Sequence, residues 1–275
     1  MLPLAFTILL ETRFATLDAG IAMAAQSSAR PRECRGAVSG GSDGLWLRLR
    51  GSDAERYCDL LARGHARLRQ TPNEALSAAR AAETLAGSTP AVRVLAGRAQ
   101  LRLAQPALAY ELFAQAEGAE AQAFADPKAL HDYARAASLA QQPGQAVRLY
   151  RLLISRAALL DDALERAFAL VEAAGHVLAH VPNGADEALG YLGLARAQPL
   201  GLTAWVSGLR LLALQRSGRA EARAPNSWPS VASLGAAPPA TPSDEVPLLP
   251  PGQWDALRAL LGAAPEVGPV TGKPR

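Results

Sequence analysis

Lysine, cysteine, histidine and aromatic residues are all scarce in this chain of 275 residues. The only lysines are Lys128 and Lys273, aromatic residues make up 5%, and the net charge is +3. The basic residues are therefore almost all arginine, and they alternate with Asp and Glu along the chain, which argues against a nucleic-acid partner. No apolar run is long enough to cross a bilayer as a helix, so we expect no membrane span in the mature chain.

The two cysteines, Cys34 and Cys58, do not have the Cys-x-x-Cys spacing of a metal site, which excludes zinc bound through thiolates. Two alternatives remain. A disulfide would tie the N-terminal arm to the first helix and add about 3 kcal/mol in the chain-entropy model. Otherwise the two residues are unpaired, small and hydrophobic.

The N-terminal residues 1–51 are predicted to form an irregular arm that begins with a signal-like segment. Residues 1–10 are apolar, and small residues at Ala22 and Ala24 resemble a cleavage site. We therefore expect export to the periplasm or cell envelope. The alternative is a start at Met23 and a cytoplasmic protein.

Residues 52–224 carry repeated signals for the start of a helix. Pro90 and Pro106 fit the first position of a helix, where the missing amide costs nothing. Asp161 is predicted to begin a longer helix. Two further starts are predicted from capping boxes, Ser52-x-x-Glu55 and Thr71-x-x-Glu74. Because the linkers are short, consecutive helices should run antiparallel and pack together.

A small residue recurs at the start of every second predicted helix, at intervals of 34, 37, 42 and 34 residues. These residues are Ala75, Ala109, Ala146, Ala188 and Ala222. The first four are followed four residues later by Ala79, Phe113, Tyr150 and Leu192, and seven residues later by Ala82, Ala116, Leu153 and Ala195. Such a small–large–small row forms one stripe of a helix, which a neighbouring helix can approach closely.

This pattern resembles the tetratricopeptide repeat, whose period is about 34 residues. The resemblance covers residues 53–223, although the family's Trp and Tyr positions in the first helix are mostly absent. It implies an all-α fold in which antiparallel helical hairpins stack into a right-handed superhelix, flanked by irregular extensions. It also implies a concave face, lined by the first helices, that holds a protein or peptide partner.

Polar side chains on the first helices are the predicted lining of that groove. They are Arg63, Arg67, Arg93, Gln100, His131 and Arg135. The excess of arginine among them predicts an acidic or carboxylate-bearing partner.

Chemistry is predicted to be absent, with no enzyme activity and no cofactor. The segment Gly40–Gly44 matches a nucleophile elbow, but no α/β pattern surrounds it. His176 and His180 lie one helical turn apart, as zinc ligands do, but no glutamate separates them as in a metalloprotease. Histidines near the end of a helix also suit its dipole. We thus predict a non-enzymatic scaffold. The alternatives are an enzyme or metal-binding protein that uses His176 and His180, and a cytoplasmic regulatory sensor domain.

The C-terminal residues 225–275 are rich in proline and are predicted to form an extended linker. One short helix is expected at about 253–261, followed by a disordered tail.

Overall fold

A computed structural model describes Cys34, Leu49 and residues 51–120, 122–160, 162–195 and 203–218, without the side chains of 203–205. All regular structure in these ranges is helical, and they contain no strand. The predictions for the signal-like segment, for Ala222 and for the segment 225–275 with its helix at about 253–261 lie outside the described residues.

Nine α-helices occupy the described ranges. They are α1 (Ser52–Arg67), α2 (Pro72–Ala86), α3 (Pro90–Arg102), α4 (Pro106–Ala119), α5 (Pro127–Leu139), α6 (Pro143–Ile154), α7 (Ala163–His180), α8 (Ala185–Ala195) and α9 (Thr203–Arg216), with a 3-10 turn at Ala157–Leu159. None of them has both the length and the apolar character needed to cross a bilayer.

Proline opens each helix from α2 to α6, because a first helical residue needs no amide hydrogen. The predicted starts at Pro90 and Pro106 are confirmed. Two aspartates supply side-chain caps: the carboxylate of Asp126 accepts from the amide of Lys128 at 3.0 Å, and that of Asp162 accepts from Leu164 at 2.8 Å.

Both helix starts predicted from the capping boxes are confirmed, but the boxes themselves do not form. Ser52 is already inside α1, and the preceding residue, Gly51, takes the cap position with φ of 55°. Thr71 does occupy the cap position of α2, but its hydroxyl makes no capping hydrogen bond. Asp161, the predicted start of α7, lies outside the described residues, and Asp162 caps that helix.

Contacts divide the chain into two compact units, residues 1–99 and 100–275. In the first unit α1 packs against α2. Gly64 lets α3 come close to α1, since a Cβ there would lie 2.5 Å from a methyl carbon of Leu95. Of the two alternatives for the cysteines, the structure has the disulfide, and Cys34 and Cys58 are both buried.

In the second unit each helix from α4 to α9 packs against the next one along the chain. Two ion pairs on α6 add side-chain links. Arg148 binds Glu117 of α4 at 2.6 Å, and Arg151 binds Glu187 of α8 at 2.7 Å. Helix α6 is therefore tied to both α4 and α8.

The small–large–small stripes of α2, α4, α6 and α8 are all buried, with every member at most 3% exposed. This confirms the part of the prediction that placed Ala75, Ala109, Ala146 and Ala188 against neighbouring helices. Alanine at these positions keeps the helix surface flat, so a second helix can approach it closely.

The turns that precede α4 and α6 have the same conformation. Ala104 and Gln141 both have φ of 57°, the left-handed region that favours glycine. In each turn the next amide donates to a carbonyl five residues earlier, Gln105 to Gln100 and Gln142 to Ala137, both at 2.9 Å. This is a Schellman motif, and a proline then starts the next helix.

Helices α5 and α7 are buried all round over much of their length. Every residue from Ala129 to Ala137 and from Ala167 to Leu178 is buried. A helix with no exposed face must place its polar residues in the interior, and it does so here.

Candidate functional site

The main polar feature of the second unit is a buried carboxylate, that of Glu172, in the middle of α7. Its exposed fraction is 0%. One carboxylate oxygen lies 2.8 Å from Nε2 of His131 on α5 and accepts the hydroxyl of Tyr150 on α6 at 2.9 Å. Three helices therefore meet at one side chain.

Arg135 completes the contacts of this carboxylate. It lies one turn after His131 on α5, so both side chains point the same way. Its Nε and Nη2 atoms donate to Glu172 at 2.9–3.2 Å, and its exposed fraction is 1%. Such a two-pronged pairing of guanidinium and carboxylate is the strongest form of charged hydrogen bond.

The protonation states follow from these contacts. Burial alone would raise the pKa of Glu172, but the charge of Arg135 and the hydrogen bonds from His131 and Arg135 hold it well below its ordinary value of 4.5. Burial alone would lower the pKa of Arg135, and the charge of Glu172 raises it instead. Both groups are therefore charged near neutral pH.

Further charges surround this pair. Glu165 lies in the first turn of α7, and one of its carboxylate oxygens is 3.7 Å from Nδ1 of His131. Arg102 donates to Asp132 at 2.7 Å, and Asp132 also lies 4.0 Å from Arg135. Arg102, Asp132, Arg135 and Glu172 thus alternate in sign along this network.

An aromatic stack extends along α7 toward its C-terminal end. The ring of His176 lies 4.9 Å from that of Tyr150, with an angle of 18° between their planes. The ring centres of His176 and His180 are 6.0 Å apart, with an angle of 22° between the ring planes. His176 is 2% exposed and neither of its ring nitrogens has a hydrogen-bond partner, and burial lowers its pKa to about 4.

These geometries limit the chemistry of the cluster. Every oxygen of Glu172 is occupied by donors, and its low pKa makes it a poor base. Among the described residues no group of three or more His, Cys, Asp or Glu side chains is placed to hold a metal ion. The cluster is built to join α5, α6 and α7.

Comparisons with protein-family models, with curated proteins and with solved structures give no match to this chain.

The predicted groove residues have very different environments. Arg63 and Arg67 are exposed on α1, and Arg93 and Gln100 are half-buried on α3. His131 and Arg135 are buried on α5, so the prediction that they are exposed on a groove is wrong. The reason is Glu172, which binds both of them in the interior.

Sequence reasoning missed Glu172, Glu165 and Tyr150 as members of this network. A signal for Glu172 was present, since it is the one charged residue within the apolar run from Ala167 to Gly175. A lone charge within such a run needs a buried partner. The sequence did not indicate which helix would supply it.

Proposed function

We propose that this chain is a non-enzymatic helical scaffold that binds a protein or peptide partner. In this proposal the helix pairs are antiparallel hairpins stacked as a tetratricopeptide-like right-handed superhelix. Three observations support it: the buried stripes of α2, α4, α6 and α8, the two matching Schellman turns, and the ion pairs that link α6 to α4 and α8. Buried charges that join helices suit a rigid framework more than a reaction centre.

The observation that carries the binding proposal is a line of exposed arginines on α1. Arg56, Arg63 and Arg67 are spaced by seven and four residues, so they share one face of the helix, and all three are exposed. Within the described part of the chain, Arg56 and Arg63 have no carboxylate partner, and Arg67 faces Glu74 at 3.5 Å. We call this face the α1 arginine stripe.

Two members of the α1 arginine stripe, Arg56 and Arg63, differ from the arginines of the second unit because they have no glutamate partner among the described residues. Arg135, Arg148 and Arg151 are each already bound to a glutamate. Guanidinium groups without such partners can each bind a carboxylate of another chain in a two-pronged fashion. We therefore propose an acidic partner, which agrees with the arginine-rich lining predicted from the sequence.

The location that we propose is the cell envelope, after export. The Cys34–Cys58 disulfide supports it, since structural disulfides persist in oxidising compartments and are rare in the cytosol. The competing proposal, a cytoplasmic regulatory sensor, requires both cysteines to be reduced in the cell. Alkylation of the protein directly in cell extracts, followed by mass spectrometry, distinguishes the two.

Site-specific photo-crosslinking tests the binding proposal. We would place a photoreactive amino acid at Ala66, which is exposed within the α1 arginine stripe, and as a matched control at Gln115, which is exposed on α4. We expect a discrete adduct in cells of the source organism from position 66 alone. Arg63→Gln with Arg67→Gln should abolish it, and Arg63→Lys with Arg67→Lys should retain most of it. The same adducts from both positions, or none from position 66, would contradict the proposal.

A further inference from the structure

His176 is an imidazole enclosed in the interior of the second unit without a hydrogen bond. It is 2% exposed, and among the described residues neither of its ring nitrogens has a hydrogen-bond partner. The ring lies flat against that of Tyr150 on α6, with the ring centres 4.9 Å apart and an angle of 18° between the planes. The neutral ring therefore serves at this position as an aromatic packing group between α6 and α7.

A proton on the ring of His176 would find no acceptor at this position. The imidazolium form has two N–H donors, and in the described part of the chain both would be buried without a partner. Burial of an unpaired charge is costly. The folded chain therefore keeps the ring neutral, or the ring has to leave its place.

The groups near His176 on α5 and α6 are already bound to one another. Glu172, one turn earlier on α7, is held by Arg135 and His131 of α5 and accepts the hydroxyl of Tyr150. Burial lowers the pKa of His176 to about 4 from its ordinary value of 6.5, although the charge of Glu172 acts in the opposite direction. The carboxylate is thus too fully paired with Arg135 to compensate the proton.

The groups toward the C-terminal end of α7 do not favour the proton either. His180 stacks on His176 one turn later, and its charge lowers the pKa of His176 further. On α8, Asp186 is exposed and Glu187 is bound by an arginine of α6 at 2.7 Å. On α9, Arg216 donates to a backbone carbonyl of α7.

We propose that His176 is an acid-sensitive contact between α6 and α7: uptake of a proton by its enclosed ring loosens the packing of these two helices. The unfolded chain takes up this proton near pH 6.5, before the folded chain does. The stabilisation is therefore complete above about pH 6.5 and is lost as the pH falls from there toward 4. This inference does not depend on the proposed function.

Hydrogen exchange of the full chain, measured by mass spectrometry at pH 7 and at pH 5 and corrected for the intrinsic effect of pH, tests the proposal. In the wild type the opening equilibrium constant of α6 and α7 should rise about twentyfold between these values because of His176. His176→Phe keeps an aromatic ring and cannot take up a proton, so it should not show this rise. His180→Gln is the matched control, because it removes an exposed histidine of the same helix, and it should behave as the wild type does.

Two other titrating groups do not affect this comparison. Glu172 acts below about pH 4.5, outside the interval, and His65, whose pKa burial lowers to about 3, lies in the first unit and is the same in every variant. His176→Leu is a second variant that cannot titrate, for use if the phenylalanine variant does not fold. Unchanged protection of α6 and α7 in the wild type would overturn the proposal. So would a loss as large as the wild type's in His176→Phe or His176→Leu, or its disappearance in His180→Gln.

Discussion

Replacing Glu172 by glutamine tests whether one buried carboxylate holds α5, α6 and α7 together. The change keeps the volume of the side chain and removes the charge that Arg135 contacts at 2.9–3.2 Å. Removing one partner of a buried ion pair typically costs about 3–5 kcal/mol, because the other charge is left without compensation. We expect the free energy of unfolding to fall by that amount in urea denaturation followed by far-UV circular dichroism.

A double-mutant cycle with Arg135→Met isolates the pair. Each single change leaves a buried group unpaired, whereas the double variant removes both charges. The double variant should therefore cost at least about 2 kcal/mol less than the two single costs combined. Glu74→Gln is the matched control, since it breaks an exposed pair at 3.5 Å and should cost less than about 1 kcal/mol.

Acid titration checks the same interaction independently. The pKa of Glu172 is below its ordinary value of 4.5 in the folded chain, so the unfolded chain takes up a proton first as the pH falls. The carboxylate therefore stabilises the fold above about pH 4.5, and this stabilisation is lost as the pH falls below that value. The wild type should lose more stability than Glu172→Gln between pH 6 and pH 3, on the order of 1–3 kcal/mol.

Three results would refute this reasoning. The first is a cost for Glu172→Gln no larger than that for Glu74→Gln. The second is a cycle with Arg135→Met in which the single costs simply add. The third is the same acid sensitivity in the wild type and in Glu172→Gln. In Glu172→Gln, hydrogen exchange measured by mass spectrometry should show reduced protection of the backbone amides of α5 and α7 relative to the wild type.

Three further predictions concern the backbone and the disulfide. Reducing Cys34–Cys58, which closes a separation of 24 residues, should lower the free energy of unfolding by about 3.4 kcal/mol in urea denaturation with and without dithiothreitol, and an unchanged midpoint would contradict this. Gly64→Ala would place a Cβ 2.5 Å from a methyl carbon of the fully buried Leu95, which would have to shift, so we expect a destabilisation of about 1–3 kcal/mol. Gly190→Ala, in open space on α8, should instead stabilise by up to about 1 kcal/mol, and thermal melts with the same sign for both would be inconsistent. Ala104→Gly should stabilise the fold by up to about 1 kcal/mol, because glycine adopts a φ of 57° without the steric cost that alanine has. The melting temperature should therefore rise slightly, and a lower melting temperature would argue against strain at this turn.

Periodicity predicted the interior of each repeat well, because it depends on local geometry. The alanine stripes could be located from the sequence, since a helix repeats its faces every three or four residues whatever it packs against. Pro90 and Pro106 predicted helix starts for the same local reason. The box at Ser52 failed by one residue, because a three-residue pattern does not distinguish the cap from the first helical position.

The polar cluster could not be predicted, because its contacts join distant parts of the chain. His131 and Glu172 are 41 residues apart, and Arg135 and Glu172 are 37 apart. A charged residue on an amphipathic helix is normally solvated, so Arg135 was assigned to the surface. The carboxylate that reverses this assignment lies two helices later.

The unbroken burial of Ala129–Ala137 in α5 has a consequence for how the gene can change. An ordinary amphipathic helix tolerates substitution at roughly half of its positions, since one face meets water. Along Ala129–Ala137 no position meets water, and most of the residues are small or already paired. Saturation mutagenesis should therefore find an unbroken block of intolerance there.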